Sequence, residues 1–168
     1  MITDKTSIKY KNIALIPTIP DHLPFLWEIL QGYPNYFADD MKIKTWEDFI
    51  DLSQNVKDSL TVTRDGITVG CIYLDNAFDD FAEINILIKR RTVMPTLTPT
   101  LSRKTLKYFF IKHNLKMIIG VIRENNHAAI NLMNIAGGIV TDYLPKCEKV
   151  GGLWYNCVYT SILREAVI

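Results

Sequence analysis

The sequence predicts one mixed α/β domain over residues 1–168, a central mixed sheet of roughly six to seven strands flanked by about four helices. Three observations predict it. Runs with apolar residues at helical spacing interleave with short runs rich in β-branched and aromatic residues. Asp65-Gly66 stands between two such β-rich runs, which is the strongest short hairpin signal because a tight turn of the favoured hand needs positive φ. No Gly/Ser linker, repeat or low-complexity tract divides the chain, and 48% apolar with 22% charged residues is the balance of one buried core.

The elements follow in order. Asn12 to Ile16, ended by Pro17, reads as a first strand. Asp21 is placed to cap a helix carrying Leu23, Leu26, Trp27, Ile29 and Leu30, which Gly32 and Pro34 stop. Thr45 with Asp48 resembles a capping box, opening a second helix with Trp46, Phe49, Ile50 and Leu52 on its apolar face. Leu60 to Arg64 and Ile67 to Leu74 form the Asp-Gly hairpin, and a second hairpin turns at Asp79-Asp80 into Phe81 to Ile88. A Pro-containing loop from Arg91 to Thr100 precedes a helix with Leu106, Phe109, Phe110 and His113 at i, i+3, i+4 and i+7. Lys116 to Ile122 reads as a buried strand. Asn125 to Ala136 is a helix ended by Gly137-Gly138, and Ile139 to Leu144 and Leu153 to Leu163 are final strands turned at Gly151-Gly152. The order is β-α-α-β-β-β-α-β-α-β-β, an antiparallel meander passing into a β-α-β unit.

Composition excludes several classes. The polar residues Met1 to Lys11 predict no signal peptide, and the apolar runs are too short to span a membrane. Three cysteines, Cys71, Cys147 and Cys157, without CxxC spacing, argue against a disulfide framework or a zinc site, so the expected setting is a reducing cytoplasm without a metal. Walker, GxSxG, HExxH and GxGxxG motifs are absent, and His22, His113 and His127 lie beside no candidate nucleophile.

Charge is segregated along the chain. Met1 to Glu83 carries 14 acids and 7 bases, whereas Ile84 to Arg123 carries no acid and nine bases. Such a stretch attracts anions even though the net charge is +1; the alternative is a solvated face whose acidic partners come from elsewhere in the fold. Within the apolar run Phe81 to Ile88, Glu83 brings a carboxylate into a strand. Desolvation raises the pKa of such a group toward that of a general base, unless it points to solvent from a sheet edge.

The run Phe81-Ala82-Glu83-Ile84 with its apolar continuation resembles the fourth strand of GNAT acetyltransferases. Val121 to Gly138, a strand followed by an Asn-x-x-Ala-x-x-Leu-type helix ending in glycines, resembles their second signature, and Trp154 to Glu165 resembles the last strand of the ribosomal-protein type. The resemblance implies acetyl transfer from acetyl-CoA to an amine of a protein or small molecule by direct attack, with Glu83 as general base. It implies two splayed parallel strands, with backbone groups of Ile86, Leu87 and Ile88 on the pantetheine arm and an N–H near Leu87 on the thioester carbonyl. Arg90, Arg91, Arg103 and Lys104 then meet the phosphates, and Asn126 the cofactor arm. Two departures stand out. Pro95 to Thr100 lacks the glycines of the family's phosphate loop, leaving the hydroxyls of Thr96, Thr98 and Thr100 to compensate, and Met133 replaces a tyrosine that serves many members as general acid. Tyr143, Tyr155 and Cys157 are the alternative donors to the leaving thiolate.

The family's acceptor groove maps to Trp27, Tyr33, Tyr36, Phe37, Asp39, Asp40, Tyr143 and Trp154, whose acids suit a cationic amine or belong to a solvated loop. Two other readings stay open: a GNAT-fold binding or structural module without catalysis, and a nucleic-acid-directed acetyltransferase or binder. The second is less favoured, because the helical period puts Phe109 and Phe110 in the core. Leu153 to Val158 is apolar enough for a monomer's core strand or for a homodimer contact.

Overall fold

A hairpin at the N-terminal side starts the sheet: β1 (Ile8–Tyr10) and β2 (Ile13–Pro17) pair antiparallel and turn through Lys11 at φ 54°. In this computed structural model, residues 7–33, 35–39, 41, 43–89 and 98–168 are described. β1 is additional to the expected strands, since three residues are too few to show a period. A single 3₁₀ turn, Pro20–His22, leads into α1 (Leu23–Gln31). Asp21 lies inside that turn and is not the cap. α1 has no side-chain cap, and Pro24, lacking an N–H, leaves one donor fewer to satisfy. His22 instead reaches the sheet, its Nδ1 2.9 Å from the hydroxyl of the fully buried Thr61.

α2 (Trp46–Asn55) opens with the expected capping box, the Thr45 hydroxyl accepting from the Asp48 N–H at 3.2 Å while the Asp48 carboxylate accepts from the Thr45 N–H at 2.8 Å. β3 (Asp58–Arg64) and β4 (Ile67–Phe78) join through Asp65 and Gly66 at φ 52° and 80°, the positive-φ pair of a primed hairpin turn. β5 (Phe81–Ile88) follows the turn at Asp79-Asp80. α3 (Pro99–Lys112) starts earlier than its apolar period suggests, because the Thr98 hydroxyl caps it by accepting from the Leu101 N–H. Pro99 occupies the first helical position, where proline is favoured. β6 (Met117–Arg123), α4 (His127–Ile135), β7 (Ile139–Val150) and β8 (Leu153–Leu163) complete the chain. β7 runs past its expected end at Leu144, continuing to Val150 through an irregular register between Leu144 and Glu148.

Among the described residues, eight strands form one sheet in the order β1-β2-β3-β4-β5-β6-β8-β7, and β5–β6 is the one parallel pair. α3 and α4 cover one face. Leu101, Phe109 and Phe110, all fully buried, pack there with Leu74, Ala82, Ile118, Met133 and Ile162. Truncating Phe109 or Phe110 would cost about 3–5 kcal/mol. α1 and α2 cover the other face through Leu26, Leu30, Phe49, Cys71, Tyr73 and Leu87, with Trp27 and Trp46 edge-on at 6.2 Å. No described helix is long and apolar enough to cross a membrane.

Gly70 on β4 sets how closely β4 approaches β5. A Cβ there would lie 2.1 Å from the Leu87 carbonyl oxygen and 2.7 Å from Ile88 Cα. Both neighbours are backbone, so Gly70→Ala must push the strands apart. The expected penalty is about 2 kcal/mol, read as a fall in Tm of about 4–8 °C; an unchanged Tm would show that the strands part freely.

Candidate active site

β5 and β6 are paired only at Phe81–Met117, Ala82–Ile118 and Glu83–Ile119. Beyond Glu83 each strand keeps to its own antiparallel neighbour. β5 follows β4 as far as Gly70–Ile88, while β6 follows β8 through Gly120–Thr160 to Arg123–Cys157. A slot therefore opens where the β5–β6 parallel ladder stops, and among the described residues no strand covers the β6-facing edge of Ile84 to Ile88. Exposed strand edges of this kind accept an extended amide-bearing chain. At the end of the edge the Tyr33 hydroxyl donates to the Ile88 carbonyl at 2.5 Å.

Behind the slot, α3, α4 and the sheet enclose a cavity of about 20 Å³ lined by Ile84, Ile86, Ser102, Thr105, Leu132 and Met133, among others. The Ser102 hydroxyl is buried there without a hydrogen-bond partner among the described residues. Orphaned buried hydroxyls are rare in folded proteins and ask for an explanation. Composition gave no hint of Ser102; its isolation follows from the packing of both helices.

Glu83 sits at the mouth of the slot, half-buried. Alternation along β5 places it with Leu87 on the α1/α2 face, opposite Ala82 and Ile88. Burial raises its carboxyl above the ordinary range; the charges of Asp75 and Glu148 act the same way, and a hydrogen bond from Asn76 Nδ2 at 2.9 Å to Oε2 opposes them. Asn76 holds that position with φ 42°, immediately after the last regular β4–β5 pair, Asp75–Glu83. The charge of Glu83 in turn helps to raise the Tyr159 phenol, after burial, which is the larger cause. Tyr73 and Tyr36 form a hydrogen-bonded phenol pair on the same face, both pushed up chiefly by burial.

Over this face the segment after α1 is fastened to the β7–β8 hairpin at two points. Asp39 accepts from the N–H groups of Gly151 and Gly152 at 2.8 and 3.0 Å, bonds that hold its carboxyl below the usual range, and its own N–H reaches the Lys149 carbonyl at 2.7 Å. Arg123 is the second fastening. Its guanidinium donates to the carbonyls of Asn35 at 2.7 Å and Tyr36 at 3.0 Å, bonds the Glu148 carboxylate through Nε, and lies 5.8 Å from the centre of the Tyr155 ring.

The predicted site residues divide accordingly. Glu83, Ile86, Leu87 and Ile88 come together along the slot. Thr98 caps α3, Thr100 is exposed in its first turn, and Arg103 is exposed one turn later. Lys104 points away from the slot: its ammonium meets the Lys9 carbonyl on β1, with β2, β3 and β4 intervening before β5. Asn126 caps α4, its side-chain oxygen accepting from the Ala129 N–H at 3.2 Å. Arg90, Arg91 and Thr96, with Pro95 of the glycine-free loop and Asp40 of the acceptor groove, lie outside the described residues.

The basic stretch is likewise not one surface. Lys112 pairs with Asp58, Lys116 with Asp80 and Arg123 with Glu148. Asp39 is occupied with the hairpin, so the acids near Glu83 are Asp75 and Glu148. Trp27 is packed against Trp46 and Phe49, Tyr143 is exposed and bonded to Glu124, and Trp154 is exposed. Met133 is buried against Gly120 in the core. Burial pushes the Cys157 thiol up to about 12, which makes it a poor acid toward a thiolate of ordinary pKa, about 8.5.

Neither a protein-family model nor a curated protein sequence matches the chain. Solved structures do. A mutant of the spermidine N-acetyltransferase from Vibrio cholerae superposes with a TM-score of 0.80 at 17% identity, over 95% of this chain and 98% of that one. A GNAT-family acetyltransferase from Bacillus anthracis gives 0.78 at 21% identity, over 95% and 99%. A ribosomal L7/L12 α-N-protein acetyltransferase in complex with coenzyme A gives 0.82 at 9% identity, over the same shares. The chain therefore has the fold of GNAT acetyltransferases over nearly its whole length.

Proposed function

We propose that the protein is an acetyl-CoA-dependent N-acetyltransferase acting on an amine. The observation that carries this reading is the placement of Glu83, a half-buried carboxylate with a raised pKa at the point where β5 and β6 part. Acetyl-CoA would supply the acetyl group as a thioester. The chain's own groups fit such a co-substrate: a strand edge from Ile84 to Ile88 that no described strand covers, its last carbonyl taken by Tyr33, and the orphaned Ser102 hydroxyl behind it. Glu83 would take the proton of the attacking amine, directly or across one water, as the C–N bond forms and the C–S bond breaks. The sulfur would leave as the coenzyme A thiolate, whose ordinary pKa of about 8.5 lets it depart without a protein donor. Asp75 and Glu148 add negative field on the acceptor side, which favours a cationic amine, small or protein-borne.

Titration with acetyl-CoA, followed by thermal shift, tests the reading. At about 100 times Kd the ligand should stabilise the protein by about 2.7 kcal/mol, a rise in Tm of about 5–10 °C. Ser102→Ala should weaken binding by about three- to ten-fold without lowering the Tm of the free protein, because the hydroxyl it removes is unpaired. No shift at millimolar acetyl-CoA would defeat the proposal, and binding without turnover over a panel of mono- and polyamines and N-terminal peptides would reduce it to a binding module.

A further inference from the structure

A second concave surface lies on the far side of α3, against the edge strand β1. It is a groove of about 600 Å³ lined by Ser7, Ile8, Lys9, Lys104, Lys107, Tyr108, Ile111 and Lys112. That volume is in the range of ligand clefts, about 300–1,000 Å³, and exceeds what the slot cavity offers. Positions 104, 107, 108, 111 and 112 follow the i, i+3, i+4, i+7, i+8 spacing of one helix face. The other face of α3 buries Phe109 and Phe110, so the lysines and Tyr108 are what the helix leaves to solvent.

The polar atoms offered by this surface are chiefly ammonium donors. Asp58 is the carboxylate that reaches in, and it is taken by Lys112 at 3.0 Å and His113 at 2.7 Å. Among the described residues no carboxylate pairs with Lys9, Lys104 or Lys107. The charges are also spread out: from Lys104 to Lys112 the helix rises about 12 Å, the reach of two or three backbone phosphates rather than one anion. Between the ammoniums the floor is apolar, formed by Ile8, an Ile111 that is 55% exposed and the Tyr108 ring, which carries the Lys112 ammonium 5.1 Å from its centre. A row of cations over an apolar and aromatic floor suits a strand that alternates phosphates with flat bases. A purely acidic peptide would meet the charges but bring nothing for the floor.

From these features we infer that the groove between β1 and α3 binds single-stranded nucleic acid. The site is separate from the slot, and it stands whether or not the chain transfers acetyl groups.

Fluorescence anisotropy of the full chain with a fluorescein-labelled 12-mer RNA tests it. Three neutralised phosphates give a slope of log K against log salt of about −2, hence roughly ten-fold weaker binding on going from about 50 to about 150 mM salt. The double substitution Lys104→Glu, Lys107→Glu should weaken binding by at least about ten-fold while leaving the acetyl-CoA thermal shift unchanged. Both side chains are exposed, so the melting curve should stay near wild type; if it does not, Lys104→Gln, Lys107→Gln reports the same loss with less perturbation. Absence of binding at low salt, retention of binding by both double variants, or equally effective competition by a poly-glutamate peptide of the same length would each overturn the inference.

Discussion

Glu83→Gln should slow acetyl transfer by about 10²- to 10⁴-fold, the usual contribution of a positioned general base, and leave acetyl-CoA binding intact. Glutamine keeps the shape of the side chain and its hydrogen bond to the Asn76 amide, so the loss isolates the proton-accepting role. The pH dependence follows from the same surroundings. Burial first, then the charges of Asp75 and Glu148, raise the Glu83 carboxyl above its ordinary value, so kcat/KM in the wild type falls as pH drops through that raised pKa. The stability consequence has the opposite sense. A carboxyl whose pKa is higher folded than unfolded binds its proton more tightly in the native state, so the native state loses stability as pH rises from the unfolded pKa through the folded one. Glu83→Gln lacks that loss and should melt at or above the wild-type temperature near pH 7.5, the gap closing at acidic pH. Turnover and pH profile unchanged in the variant would remove Glu83 from the chemistry.

Most of this fold was legible because its signals are local. Asp65-Gly66, the Thr45–Asp48 capping box and the paired phenylalanines of α3 each act within a few residues, and each forms as expected. That β5 and β6 part follows in sequence only from the family resemblance, and that they part at Glu83 is visible only in the structure, since neither strand's composition says where its neighbour leaves. β1 was missed for want of length. The direction of Lys104 is not legible in sequence for another reason. The charge run is a property of the sequence, but a helix distributes its residues over all directions, sending Lys104 and Lys107 toward β1, Lys112 to Asp58, and the phenylalanines inward. In sequence Asp39 reads equally as an acid for the substrate or as part of a solvated loop, because nothing nearby reveals that the Gly151-Gly152 turn, 112 residues on, offers it two N–H groups.

Arg123 is the extreme case of such non-local function. In sequence it is one base of the charged stretch and one residue of the strand-helix signature, yet its partners lie 88, 87 and 25 residues away. Arg123→Ala should remove one of the two fastenings of the segment after α1 to the β7–β8 hairpin and leave Glu148 without its cation. Charge-assisted hydrogen bonds contribute roughly 1.5–3 kcal/mol each when made to well-placed groups, but both partners here keep some contact with water, with side-chain exposures of 21% and 28%. The expected loss is therefore about 3 kcal/mol in all, a fall in Tm of about 6–12 °C. The chemistry should change in a way that mere loosening would not produce. Glu148 already raises the Glu83 carboxyl; stripped of Arg123 it raises it further, so the acidic limb of kcat/KM against pH moves to higher pH. KM for the amine should rise as the roof over the site loosens, while Kd for acetyl-CoA stays close to wild type because Arg123 touches neither the free β5 edge nor Ser102. Arg123→Lys should restore the position of the limb, since a cation again faces Glu148, without restoring the Tm, since one ammonium does not reproduce the planar fork that holds both the Asn35 and Tyr36 carbonyls. A variant that loses stability with an unmoved pH limb would confine Arg123 to holding the fold.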